Sequence, residues 1–194
     1  MDDYLLRLVF AIVVGMLAGQ QLTARYFASC QKKDQCLDEP RRSLGEFFVF
    51  TTTILWALSL LVYPTKYFGY HLDLHIAVRW VGIPMMIACI PLFAWTHLSL
   101  GIYFSSKLQL LSRHEIVKIG PYKYVRHPMY STLFLCAIGA SLASADLIVS
   151  VLSFILIVVV SGRVGREECM MLERFPREYA SYRYYVGAFF PKII

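Results

Sequence analysis

The chain has 194 residues, of which 58% are hydrophobic and only 16% charged, where an ordinary soluble domain carries roughly 25% charged residues. Mean hydropathy is +0.56, and the apolar residues gather into long runs instead of alternating, which excludes a soluble globular protein and indicates an integral membrane one. A net charge of +6, from 19 Lys+Arg against 13 Asp+Glu, is then explained by basic cytoplasmic loops and not by nucleic acid binding.

A spanning helix needs about 20 mostly apolar residues, and five stretches qualify. Tyr4–Gly19 is broken only by Arg7 and runs on into Gln20 and Gln21, and Phe47–Tyr63 is free of charge. Ile76–Trp95 has Arg79 near its start and Pro84 and Pro91 inside it, which predicts a bend. Met129–Ala145 and Leu147–Val160 flank the lone Asp146. They are too close for a loop, so they read as a tight helical hairpin with Ser144, Ala145 and Asp146 at its tip. Asp2 and Asp3 stand where a cleavable signal peptide would need basic residues.

The expected fold is therefore all-α and polytopic, with five transmembrane helices that end in the hairpin. With the N-terminus outside, segments 20–46, 96–128 and 161–194 face the cytoplasm and carry 5, 5 and 6 basic residues, 16 of the 19. The opposite orientation would invert the positive-inside rule. The chain divides into membrane helices 1–3 over residues 1–96 and a half rich in motifs over 97–194. The C-terminus is expected in the cytoplasm.

Two cytoplasmic stretches of about 33 residues flank the hairpin, and such loops beside a small scaffold are where chemistry tends to sit. The first contains HEIVKIGPYKYVRHPMY, from His114 to Tyr130. Gly120-Pro121 is a turn signal, and Pro128 suits the first turn of a helix. The second reads RVGREECMMLERFPREYASYRYY, from Arg163 to Tyr185. A hairpin brings its ends together, so Arg126 and His127 should lie near Arg163, Glu167 and Glu168. Adjacent carboxylates so close to a span are costly unless paired or bound to a cationic ligand. Arg166, Arg174, Arg177 and Lys192 read instead as ordinary basic residues at a membrane exit. Met171, Leu172 and Phe175 before Pro176, followed by Tyr179, Tyr182 and Val186, predict two short amphipathic helices closing the site as a lid. The five cysteines form no CxxC pair and the histidines no HExxH pair, so no metal site is expected.

The two motifs in this order around a hairpin resemble the isoprenylcysteine carboxyl methyltransferase family, over about residues 97–194, and the chain looks like a minimal five-span, prokaryotic-type member. The resemblance rests on RHPMY at 126–130, REE at 166–168, and Tyr179 and Tyr182 before an apolar, proline-containing terminus. It implies S-adenosyl-L-methionine as methyl donor, released as S-adenosyl-L-homocysteine, and a prenylated C-terminal cysteine carboxylate as acceptor, entering from the bilayer. It also implies roles. Arg163 orients the acceptor carboxylate, while Glu167 and Glu168 take the donor's cationic end or ribose and brace Arg163. His114, Glu115, Ile116 and Val117 match the segment whose main chain contacts the donor, and Tyr122 and His127 match cofactor-site positions. Arg126 either joins them or anchors the loop. Ser131, Leu135 and Ile138 fall along one helix side and border the adenine or simply pack.

Three other functions compete. Phospholipid amine N-methylation belongs to the wider group of membrane methyltransferases. Sterol-reductase-like enzymes, which use NADPH, are similar in their C-terminal half. A non-enzymatic membrane subunit would give no reason for two motif-rich segments. The acceptor and the oligomeric state are not written in the sequence.

Overall fold

The computed structural model describes residues 8–12, 15, 72–100 and 116–192. Among these are four helices, α1 (Ile76–Leu100), α2 (Pro128–Ser144), α3 (Leu147–Arg174) and α4 (Pro176–Tyr185), with a 3-10 turn at Gly120–Lys123. The stretch at 47–63 and most of that at 4–19 lie outside the described residues. A helical turn at 8–12 remains, and its Phe10 is fully buried.

By length and composition α1 and α3 are long and apolar enough to cross a membrane, and α2 is a shorter apolar helix. α1 continues five residues past the expected end at Trp95, through both Pro84 and Pro91. It packs on α2 where Gly82 meets Gly139. A Cβ at Gly82 would run into the Gly139 carbonyl, and one at Gly139 would stand 2.9 Å from the Gly82 carbonyl. Bare glycines let two backbones touch, and close approach of this kind is how apolar helices associate without a hydrophobic drive from water. Met86, Cys89 and Phe93 of α1 then pack with Cys136, Ala137 and Ala140 of α2 and with Leu156 and Val160 of α3.

The hairpin forms as the sequence predicts. α2 stops because Ala145 takes a left-handed conformation, φ 50°, an expensive one for a residue with a Cβ. Asp146 repays it by capping α3: its Oδ1 accepts from the amides of Ile148 and Val149 at 2.9 and 3.1 Å. The amide of Leu72 adds a bond to the Ala145 carbonyl at 2.7 Å.

The return arm differs from expectation. The apolar stretch ends at Val160, yet α3 continues without interruption to Arg174, 28 residues in all. At about 1.5 Å per residue that is some 42 Å, against about 30 Å of bilayer hydrocarbon. The expected first amphipathic helix is thus the polar end of α3: no proline lies between Val160 and Arg174, and Gly162 and Gly165, though weak helix formers, are carried within it. The break comes at Phe175, with Pro176 opening α4.

Candidate functional site

The site is built where the two ends of the hairpin meet. Gly120 has φ +59°, and a Cβ there would collide with the Ser99 side chain and approach the Trp95 ring nitrogen at 3.2 Å. Only glycine both turns this way and sits this close to α1. The turn closes through Pro121, whose carbonyl accepts from the amides of Tyr124 and Val125 at 3.1 Å. The next residues pair with the C-terminal segment. Val125 and Gly187 form a parallel bridge. The amides of Arg126 and His127 donate to the carbonyls of Gly187 and Ala188 at 2.8 and 3.0 Å. Residues 186–191 therefore form a strap laid along the entrance to α2.

The titratable residues converge beneath that strap. Glu168 Oε1 accepts from Arg126 Nε at 3.0 Å and Nη2 at 2.7 Å, and Arg183 Nε lies 3.3 Å from its other oxygen. Arg126 Nη1 donates to the carbonyls of Val186 and Arg183. His127 stands between the two carboxylates, Nε2 at 3.3 Å from Glu168 Oε1 and Nδ1 at 3.7 Å from Glu167 Oε2. Glu167 Oε1 accepts from Arg163 Nε at 2.8 Å and from the Tyr130 hydroxyl at 2.5 Å. The Arg126 and Glu168 side chains are only 8% and 10% exposed, a burial that two charges tolerate when each is hydrogen-bonded by the other.

A tyrosine shell surrounds the cluster. Tyr182 donates to the Tyr122 carbonyl at 2.5 Å, joining α4 to the turn. Burial pushes the Tyr179 hydroxyl up to about 12, with the Glu168 charge adding to it. Burial also raises Tyr122 and Tyr182 well above the ordinary phenol range, and the Glu167 charge contributes at Tyr122. These phenols stay neutral at physiological pH. Lys118 and Glu178 form a more exposed link between loop and α4 at 2.7 Å.

Beside the cluster lies an apolar cavity of about 380 Å³ between α1, α2 and the strap, within the usual range for small-molecule pockets. Trp95, Tyr124, Phe134, Leu135, Ile138, Phe189 and Phe190 are among its walls.

Of the residues expected from sequence, Arg126, His127, Arg163, Glu167 and Glu168 come together in one cluster. Tyr122 sits at its edge. Ser131, Leu135 and Ile138 line the cavity instead, and the Ser131 hydroxyl is engaged by the backbone, donating to the Phe189 carbonyl at 2.8 Å. The Arg126 guanidinium ties loop, α3 and C-terminal segment together, through Glu168 and the carbonyls of Arg183 and Val186. Ile116 and Val117 lead into the turn without regular structure, while His114 and Glu115 lie outside the described residues. Among the described residues no group of three His, Cys, Asp or Glu could hold a metal ion.

Three contributors escaped sequence reasoning. Tyr130 was detectable, since it closes the RHPMY motif one helical turn after His127. Arg183 offered no motif. The strap could not be read at all, because its partners are bonded through main-chain carbonyls that any sequence would present.

The described residues thus form an all-helical unit whose apolar hairpin carries a largely buried Arg–Glu–His cluster at its polar end, with an apolar cavity alongside. The model of the isoprenylcysteine carboxyl methyltransferase family matches residues 80–173, which take in most of α1, the turn and both hairpin arms, and over these residues the chain is similar to this family. It is similar to the uncharacterized protein YpbQ of Bacillus subtilis, 28% identical over 132 residues, 66% of this chain and 73% of that one. It is also similar to the protein-S-isoprenylcysteine O-methyltransferase of Saccharomyces cerevisiae, 37% identical over 87 residues. That match covers 42% of this chain and 35% of the yeast protein, so the chain accounts for about a third of the yeast protein's length.

Proposed function

We propose that the protein is an integral membrane methyltransferase that takes a methyl group from S-adenosyl-L-methionine and esterifies the C-terminal carboxylate of a prenylated cysteine, or of a similar lipid-linked acceptor. The observation that carries this reading is the placement of Arg163, Glu167 and Glu168 at the first polar turns of α3, with His127 facing them from the start of α2, next to an apolar cavity. Similarity to the isoprenylcysteine carboxyl methyltransferase family supports the methyl-transfer chemistry, and the two apolar helices α1 and α3 support residence in a bilayer.

The donor set fits the cofactor. Two carboxylates with a histidine between them can receive a cationic amino group and ribose hydroxyls, and the loop backbone before Tyr122 offers further polar groups. When bound, the cofactor supplies an electrophilic methyl on a sulfonium. The residues of the chain then have two tasks. A terminal carboxylate, with an ordinary pKa of about 3.5, is already ionised at pH 7 and needs no base to attack. It needs alignment and release from water. Arg163 provides the alignment: Glu167 holds it through Nε, which fixes the plane of the guanidinium, and a fixed plane is what a two-pronged contact with a carboxylate requires. Tight neutralisation alone would hold the ground state as well as the transition state and would not speed the reaction. The acceptor's apolar chain belongs in the cavity, and the charged donor approaches from the aqueous side.

A titration separates this reading from its rivals. The purified protein is expected to bind S-adenosylhomocysteine and not NADPH, and to methylate N-acetyl-S-farnesylcysteine in preference to an amine phospholipid. Binding of NADPH alone would make it reductase-like. Methylation of the amine lipid alone would move it to N-methylation, and binding of neither cofactor would leave a non-enzymatic subunit.

A further inference from the structure

We propose that Phe189 is the partition between the polar cluster and the apolar cavity, and that its ring selects the length of acceptor chain that can present its carboxylate. The inference rests on the functional reading above, which places the acceptor's chain in the cavity. Phe189 has neighbours of opposite character. Its ring centroid is 6.2 Å from that of His127 and 5.1 Å from that of Phe134. His127 belongs to the cluster through both carboxylates, whereas Phe134 and Phe189 itself are cavity wall. One ring thus forms the boundary between them.

Its position is fixed by main chain. Gly187, Ala188 and Phe189 each give their carbonyl to the entrance of α2, to the amides of Arg126 and His127 and to the Ser131 hydroxyl. Three consecutive bonds hold the backbone of the strap, so the ring can leave only by changing its side-chain rotamer, out of its packing against Phe134 and His127. The strap then continues into Phe190, which also lines the cavity but is 80% exposed. A chain in the cavity whose head group must reach Arg163 has to pass a wall held in place on one side. A rigid wall discriminates among apolar chains by size, an effect of about 10- to 200-fold for a methylene-scale difference in a fitted pocket.

The test reads binding, with turnover of the wild type measured separately. N-acetyl-S-farnesylcysteine and N-acetyl-S-geranylgeranylcysteine compete against a photoreactive prenylcysteine in wild type, Phe189→Leu, Phe189→Ala and Ser131→Ala, with S-adenosylhomocysteine affinity measured alongside. The ratio of the two chain affinities is expected to change by about tenfold in Phe189→Ala, less in Phe189→Leu, and in the same direction in Ser131→Ala, where the strap is loosened. S-adenosylhomocysteine affinity is expected to stay within about threefold. An unchanged ratio in Phe189→Ala, a wild type that binds neither chain, or joint loss of cofactor and both chains in Phe189→Leu would each overturn the proposal. A wild type that binds the chains but methylates neither would sink the functional reading alone, and the ratio would still decide the role of Phe189.

Discussion

Tyr130 and Arg163 donate to the same oxygen, Glu167 Oε1, at 2.5 and 2.8 Å. They come from opposite arms of the hairpin, so Glu167 fastens α2 to α3 at the point where the chemistry is assigned. Arg163 and Glu167 are one turn apart on α3 and would pair on any helix. Tyr130 adds a constraint from the other arm, which turns a local pair into a defined geometry.

Replacing Arg163 by Lys keeps the charge and loses the planar fork. Turnover is expected to fall by about 30- to 1000-fold, equivalent to about 2–4 kcal/mol of barrier. S-adenosylhomocysteine affinity should hardly change, since Arg163 is assigned to the acceptor. The check is kcat and KM for a prenylcysteine beside cofactor affinity; selective loss of cofactor binding would reassign the residue.

Tyr130→Phe removes one donor from Glu167 and leaves the ring in place against His127, with which it stacks at 5.7 Å between centroids. Loss of a single hydrogen bond to a charged group is worth about 1.5–3 kcal/mol. The expected result is a drop of about 10- to 100-fold in kcat with the far-ultraviolet circular dichroism spectrum unchanged. A wild-type kcat would mean that Glu167 is positioned by Arg163 alone.

His127→Ala and Glu167→Ala are each expected to weaken S-adenosylhomocysteine binding while the fold persists, by about tenfold or more for one charged hydrogen bond lost. Unchanged affinity in both variants, measured by calorimetry, would remove these residues from the cofactor site.

Arg126→Ala should act on stability. It would leave Glu168 buried without its main partner, at a cost of about 3–5 kcal/mol, and would remove the bonds from Arg126 to the carbonyls of Arg183 and Val186. A lower melting temperature and faster proteolysis within residues 183–192 are expected. Normal melting with a selective loss of cofactor affinity would instead make Arg126 a ligand.

How much of this was legible in the sequence depended on the kind of interaction. The hairpin was readable because two apolar runs cannot flank a lone Asp146 except as a tight turn, and the convergence of Arg126 and His127 with Glu167 and Glu168 followed from it. The extent of α3 was not readable. Hydropathy reports where apolar character ends, at Val160, but not where hydrogen bonding ends: no proline lies between Val160 and Pro176, and the helix runs through both Gly162 and Gly165. Ser131 shares a helix side with Leu135 and Ile138 as the spacing indicates, and its hydroxyl turns to the Phe189 carbonyl, a partner set by the path of a distant strap.

The central claim is that the Arg163–Glu167–Tyr130 arrangement directs a methyl group onto a carboxylate, and the bond formed tests it most directly. Protein incubated with methyl-labelled S-adenosylmethionine and N-acetyl-S-farnesylcysteine should yield label that mild base releases as methanol, the signature of a methyl ester, with release strongly reduced in Arg163→Lys. Label that survives base, or base-labile label undiminished in Arg163→Lys, would contradict it.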